Sequence, residues 1–206
     1  LAVPECGTKF VRGMLEDSRP QTFSDLVRIS GFSHGTNVWL DNAQDLIKNG
    51  TCKLNEAIST RDDVMNFLIH RGMDRKHSFF VMENVRKGKG IEKRNKQGQA
   101  TTEFEAEMRE NNIPEWFIES CKKISYLFPR AHAVAYVMMA FRIAWFKVYH
   151  PLAFYAAYFS IRAKAFDLRI MTGDLKTQLT EFNRIKALDR AASPKDKDLM
   201  SALEVS

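Results

Sequence analysis

The 206-residue sequence predicts an all-α fold, and three observations carry that expectation. Helix start and stop signals recur along the chain. The alternating apolar pattern of a half-buried strand never persists for more than a few residues. One long segment, 129–149, is apolar on nearly every face, the pattern of a helix enclosed on all sides, so it is expected to be a buried central element.

Local chemistry justifies each element in turn. Thr22 is placed to cap a helix through Ile29 with Gly31 as its stop, and Asp41 to cap one through Lys48 with Gly50 beyond it. Thr60 opens a helix to Arg71 that Gly72 ends, and Asp74 opens one that closes at Lys87-Gly88. Thr102 with Glu105 three residues on is a capping box for a helix to about Asn112. Pro114 and Pro129 suit first helical positions, Pro151 separates the long helix from another at 152–163, and Ser193-Pro194 begins a last one. Residues 88–102, with Gly88, Gly90 and Gly98, read as a mobile basic loop. The more polar stretch 173–206 reads as a helical tail beyond a domain at 1–172.

A net charge of +6 favours an anionic partner such as nucleic acid, nucleotide or membrane. Cys6, Cys52 and Cys121 are isolated, so neither a disulfide framework nor a zinc site is indicated, and a reduced, cytoplasmic setting is expected. Arg130, His132, Arg142, Lys147 and His150 interrupt the apolar region before the ~20 uncharged residues a membrane span needs. The chain starts without Met and reads as an excerpt from a longer protein.

Phe128-Pro-Arg-Ala-His-Ala-Val-Ala-Tyr136 is the most informative stretch. It places Arg130 and His132 in the first turn of a helix, where unpaired N–H groups and the dipole favour an anion and disfavour cations. A bound phosphate resolves the conflict, with Tyr136 one turn beyond His132 on the same face and Lys122 and Lys123 nearby if the connection is tight. The plain alternative leaves both cations in solvent with Phe128 and Tyr136 in the core. Arg142 lies among apolar neighbours and there needs a carboxylate or a phosphate, unless it reaches solvent along its own stem. Arg86-Lys87-Gly88-Lys89-Gly90 fits both a solvated helix end and a phosphate-following turn, and it lacks the order of a Walker loop. Ser33, His34 and Gly35 lie in a turn-rich stretch with donors for a small polar ligand, without a hydrolase elbow. Asp62-Asp63 reads as helix-dipole complement and Asp196/Asp198 as solvated tail, so no metal site and no catalytic residue is expected in the chain.

On these strings, with Val3-Pro-Glu-Cys-Gly-Thr-Lys-Phe10, Thr22–Trp39 and Pro114-Glu-Trp116, the sequence resembles the PolC-type, Gram-positive DNA polymerase III alpha subunit within the bacterial C-family polymerases, over roughly residues 3–170. The resemblance implies a helical fingers domain of a DNA-directed DNA polymerase. Arg130, His132, Tyr136 and Arg142 then face an incoming dNTP triphosphate and Ser33, His34 and Gly35 its base. Arg86, Lys87, Lys89, Lys122 and Lys123 then face phosphates of nucleotide or template-primer DNA. It also implies Mg2+ held by the aspartates of a palm domain elsewhere in the parent, so that the piece alone is inactive. The remaining polymerase domains and replisome proteins such as the sliding clamp become partners, and no membrane is implied. Ile91–Thr101 reads as a basic insertion, so the carry-over stops at Gly90. The alternatives are a non-enzymatic, all-helical nucleic-acid-binding module and an amphipathic protein of the membrane surface.

Overall fold

The computed structural model describes residues 2–94, 100–101 and 103–205, and they are helical apart from turns and one minimal hairpin. Two compact units divide the chain: Thr8–Met138, and Leu1–Gly7 with Met139–Ser206. The expected boundary between residues 172 and 173 lies inside the second unit.

The first unit contains α1 (Lys9–Ser18), α2 (Phe23–His34), α3 (Gln44–Lys48), α4 (Arg61–His70) and α5 (Arg75–Arg86). A hairpin of β1 (Lys93–Arg94) and β2 (Ala100–Thr101) follows, then α6 (Glu103–Glu110), α7 (Glu115–Lys123) and the start of α8 (Arg130–Tyr149). Caps set the boundaries: Thr22 and Asp25 close a capping box on α2, and the Asp74 carboxylate accepts from the N–H groups of Lys76 and His77. The core is one cluster to which most of these helices contribute, with Phe32, Leu68, Phe104, Phe117 and Leu127 at 2% exposure or less. Phe67 stacks on Phe117 at 4.1 Å.

The structure departs from the sequence expectations at several elements. α2 does not stop at Gly31; it continues to His34, and Gly31 is buried within it because the Ser59 carbonyl approaches so closely that a Cβ would lie 2.6 Å from its oxygen. Asp41 caps nothing: it sits at φ 56 in an irregular turn over Trp39–Ala43, and α3 begins at Gln44. α1 was unforeseen, although Thr8 caps it by accepting from the Val11 N–H at 3.2 Å. The stretch 88–102 is not all loop, since Ile91 is 1% exposed in the core and Lys93 and Arg94 pair antiparallel with Thr101 and Ala100. Residues 95–99, and the Thr102 cap, lie outside the described residues.

The largest correction concerns α8. Ala133, Val137 and Ala140 form a narrow buried strip, whereas Phe141, Phe146, Val148 and Tyr149 are more than half exposed. The apolar faces to either side of that strip are uncovered, so the helix is not a buried central element. Arg142 is likewise exposed, which removes its need for a buried partner. By length and composition alone, α8 is apolar enough to cross a membrane despite its charges.

The second unit continues α8 beyond Met139 and adds α9 (Pro151–Ala157), extended by a wider turn over Tyr158–Arg162. α10 (Leu168–Met171), α11 (Leu175–Leu188) and α12 (Pro194–Leu203) follow. The tail beyond residue 172 is helical as expected: α11 is capped by Asp174, which accepts from the Thr177 N–H at 2.8 Å, and α12 begins at Pro194, where Asp196, read from sequence as solvated tail, closes a capping box with Ser193. A small core of Ile185, Ala192 and Leu203, with Phe182 and Leu199 against it, joins the last helices.

Candidate functional site

The extended segment 124–128 organises the candidate site. α7 ends at Lys123, and Pro129 disfavours helical geometry at Phe128, so the chain runs out straight before α8 begins. Three remote pieces pair with it. Thr36 bridges Tyr126 antiparallel and Thr60 bridges Phe128 in parallel. The Thr36 N–H donates to the Tyr126 carbonyl at 3.0 Å, the Arg61 N–H to that of Phe128 at 3.2 Å, and the Leu127 N–H to that of Arg86 at 3.3 Å. The exits of α2 and α5 and the start of α4 therefore meet beside the start of α8.

Two glycines permit this approach. A Cβ on Gly35 would lie 3.1 Å from the Tyr126 oxygen and 2.4 Å from Val38 Cγ2, and one on Gly88, where φ is +68, would lie 2.5 Å from the Ser125 oxygen. The Ser-His-Gly-Thr and Arg-Lys-Gly-Lys strings are thus close-packing motifs in this fold.

The pairing gathers an aromatic cluster around Phe128. His34 stacks on its ring at 4.7 Å, His132 meets it edge-on at 6.0 Å and Tyr136 lies at 6.3 Å. His34 and Tyr136 are 6.2 Å apart. Val27 of α2, with Ala133 and Val137 of α8, forms a small apolar cluster that seats the helix start. His132 is exposed, as the plain alternative also has it, whereas Tyr136 is 40% exposed and not in the core where that alternative placed it.

The charge conflict at the α8 start is met partly from within. Asp62 Oδ2 accepts from the Arg130 N–H at 2.9 Å, and the Arg130 Nη1 stands 3.8 Å from Asp63 Oδ1. Asp63 also faces Arg28 at 3.6 Å, and its Oδ2 accepts from the N–H and hydroxyl groups of Ser59 and Thr60. Sequence reasoning found the dipole role of this acid pair but missed that Asp62 serves α8, 68 residues away; no local signal carries that contact. Among the described residues no three His, Cys, Asp or Glu side chains gather as metal ligands. Asp62 and Asp63, already engaged by backbone, hydroxyl and guanidinium donors, do not fit Mg2+.

The other expected site residues divide. Ser33 turns its hydroxyl to the Ser30 carbonyl at 2.9 Å. Arg86 forms a two-pronged pair with Glu83, and Lys87 reaches the same carboxylate at 2.9 Å. The Arg86 hydrogen bonds first, then Lys87, hold the Glu83 carboxyl down at about 2. Lys89 is exposed, its N–H donating to the Asn84 carbonyl at 2.9 Å. The connection from α7 to α8 is extended where a tight turn was needed to bring Lys122 and Lys123 in. Lys122 instead pairs with Glu105 and Glu119, and Lys123 donates to the Asp41 carbonyl. Arg142 belongs to the second unit.

Residues 1–112 match the family model described as the bacterial DNA polymerase III alpha subunit finger domain. The chain is similar over its whole length to the DNA polymerase III PolC-type of Caldanaerobacter subterraneus subsp. tengcongensis (55% identical) and that of Bacillus subtilis (52%), and over 99% of it to that of Thermotoga maritima (56%). It spans 14% of the length of each of these relatives. The chain belongs to the bacterial DNA polymerase III alpha subunit finger domain family.

Proposed function

We propose that this chain receives the incoming deoxynucleoside triphosphate in a replicative DNA-directed DNA polymerase and helps to position template-primer DNA. Arg130 and His132 face the triphosphate, His34 and Tyr136 lie beside the nucleoside, and Arg86, Lys87 and Lys89 face phosphates of nucleotide or DNA. The observation that carries the reading is the convergence of His34, His132 and Tyr136 on Phe128, next to an arginine in the first turn of α8. A guanidinium fork and an imidazole at a helix start recognise phosphate oxygens by charge and direction together.

The chain's role is binding and orientation, which bring a nucleotide into line with a primer end. In-line nucleotidyl transfer with Mg2+ requires carboxylates that converge on the ions, and on this reading they belong to another domain of the parent polymerase. The partners are therefore template-primer DNA, the rest of the polymerase and, through it, the sliding clamp, in the cytoplasm.

Arg130→Ala in the full-length polymerase tests the reading. A charge-assisted hydrogen bond contributes about 1.5–3 kcal/mol, so kcat/KM for nucleotide is expected to fall roughly tenfold to a hundredfold while primer-template affinity changes far less. Unchanged nucleotide kinetics with weakened DNA binding would assign Arg130 to the DNA backbone and overturn the assignment.

A further inference from the structure

We infer that Asp62 and Asp63, at the start of α4, are positioning residues that hold Arg130 ready for its phosphate partner. The inference rests on the nucleotide site proposed above. An arginine at a helix start has two loose parts, an orphan N–H and a long flexible stem. Asp62 fixes the first by accepting the Arg130 N–H at 2.9 Å. Asp63 orients the second, with Oδ1 at 3.8 Å from Nη1.

Asp63 is a stationary anion. It is 10% exposed at the side chain, its Oδ2 accepts four hydrogen bonds from Ser59 and Thr60, and Arg28 stands against Oδ1 at 3.6 Å. Arg28 is itself tied to the Ala57 carbonyl at 2.9 Å. At 3.8 Å the Arg130 pair is longer than a hydrogen bond, and the guanidinium side chain keeps 39% of its surface open. Arg130 is therefore aimed without being consumed, which leaves its donors for an incoming anion. The parallel bridge from Thr60 to Phe128 locks the acid pair to the same segment that presents the aromatic cluster.

The experiment is a mutant cycle in the full-length polymerase, reading KM for deoxynucleoside triphosphate, kcat, primer-template affinity and melting temperature. Asp62→Ala is expected to raise KM roughly three- to tenfold through misdirection of the Arg130 guanidinium, with kcat and DNA affinity within about twofold of wild type. Asp62→Asn keeps an acceptor oxygen and is expected to restore wild-type KM. On an Arg130→Ala background, Asp62→Ala is expected to add nothing, because residues acting through one another are non-additive. The inference is overturned if Asp62→Ala leaves KM unchanged, if asparagine fails to rescue, or if the same factor appears with Arg130 already removed. An Arg130→Ala enzyme with wild-type KM would instead overturn the nucleotide-site reading, and this inference with it.

Discussion

Gly88→Ala tests whether the basic turn after α5 is held against the extended segment 124–128. Two effects act at this position. Gly88 has φ +68, and placing an L residue in left-handed geometry costs about 1–2 kcal/mol. The new Cβ would also lie 2.5 Å from the Ser125 oxygen and 3.1 Å from the Ser125 carbonyl carbon and Cα. Backbone cannot rotate aside as a side chain does, so relief of that overlap adds about 1–3 kcal/mol. Gly90 separates the two effects: it has the same φ of +68, but a Cβ there meets nothing within 4 Å. The two variants should therefore differ by about 1–3 kcal/mol, which at ~2–4 °C per kcal/mol places the Gly88→Ala melting point roughly 2–12 °C below that of Gly90→Ala. Thermal unfolding of the purified chain, followed by its helical circular dichroism, measures the difference. Equal melting points would refute the close approach of the Arg-Lys-Gly-Lys turn to Ser125, and with it the assembly of the site around 124–128.

Gly31→Ala should destabilise by about 1–3 kcal/mol in urea titration although alanine favours helix, because its Cβ would sit 2.6 Å from the Ser59 oxygen; a gain in stability would refute the contact. Glu83, held at about 2 against an ordinary 4.5, stabilises the folded state above pH ~4.5, and that contribution is lost as pH falls toward ~2. The stability difference between wild type and Glu83→Gln should accordingly shrink over that window, and a difference that stays constant refutes the pairing with Arg86 and Lys87. Val148 and Leu152 are 70% and 88% exposed, so Val148→Lys with Leu152→Lys should change stability by no more than about 0.5 kcal/mol each; a collapse in melting temperature would show them to be buried.

What the sequence made legible depended on whether the cause was local. Thr22, Thr60, Asp74 and Ser193 fix helix starts through side chains within three residues of the N–H groups they satisfy, so those boundaries could be read directly. Gly31 and Asp41 failed as boundary signals because tertiary contact overrode the local preference: the Ser59 backbone requires glycine inside α2, and Asp41 occupies a left-handed turn position. Of the site, Arg130, His132 and Tyr136 were grouped from their positions on one helix start, whereas His34 joined them only through the family likeness, since nothing in spacing joins residue 34 to residue 128; the structure sets the His34 and Phe128 rings 4.7 Å apart. Lys122 and Lys123 were misplaced because the length of an extended connection is invisible to charge counting. The apolar character of α8 was legible, but its burial was not: composition says that a surface avoids water and is silent on what covers it.

The start of α8 shows how a structural explanation sharpens a functional one. The dipole argument asked for an anion near Arg130, and Asp62 supplies one, so the helix itself no longer requires a phosphate. What remains unexplained by folding is the guanidinium. Asp63 already has a closer and more buried cation in Arg28, at 3.6 Å with 12% of its side chain exposed, against 3.8 Å and 39% for Arg130. The second charge adds little to a carboxylate already compensated, and an ion pair this open contributes at most about 1 kcal/mol. Arg130 is thus surplus to the needs of the fold, held at a helix start beside an aromatic cluster. Stability and function should then separate in one variant: Arg130→Ala melts close to wild type while its use of nucleotide collapses. A loss of stability matching the loss of activity would return Arg130 to the fold and leave the helix start without a ligand.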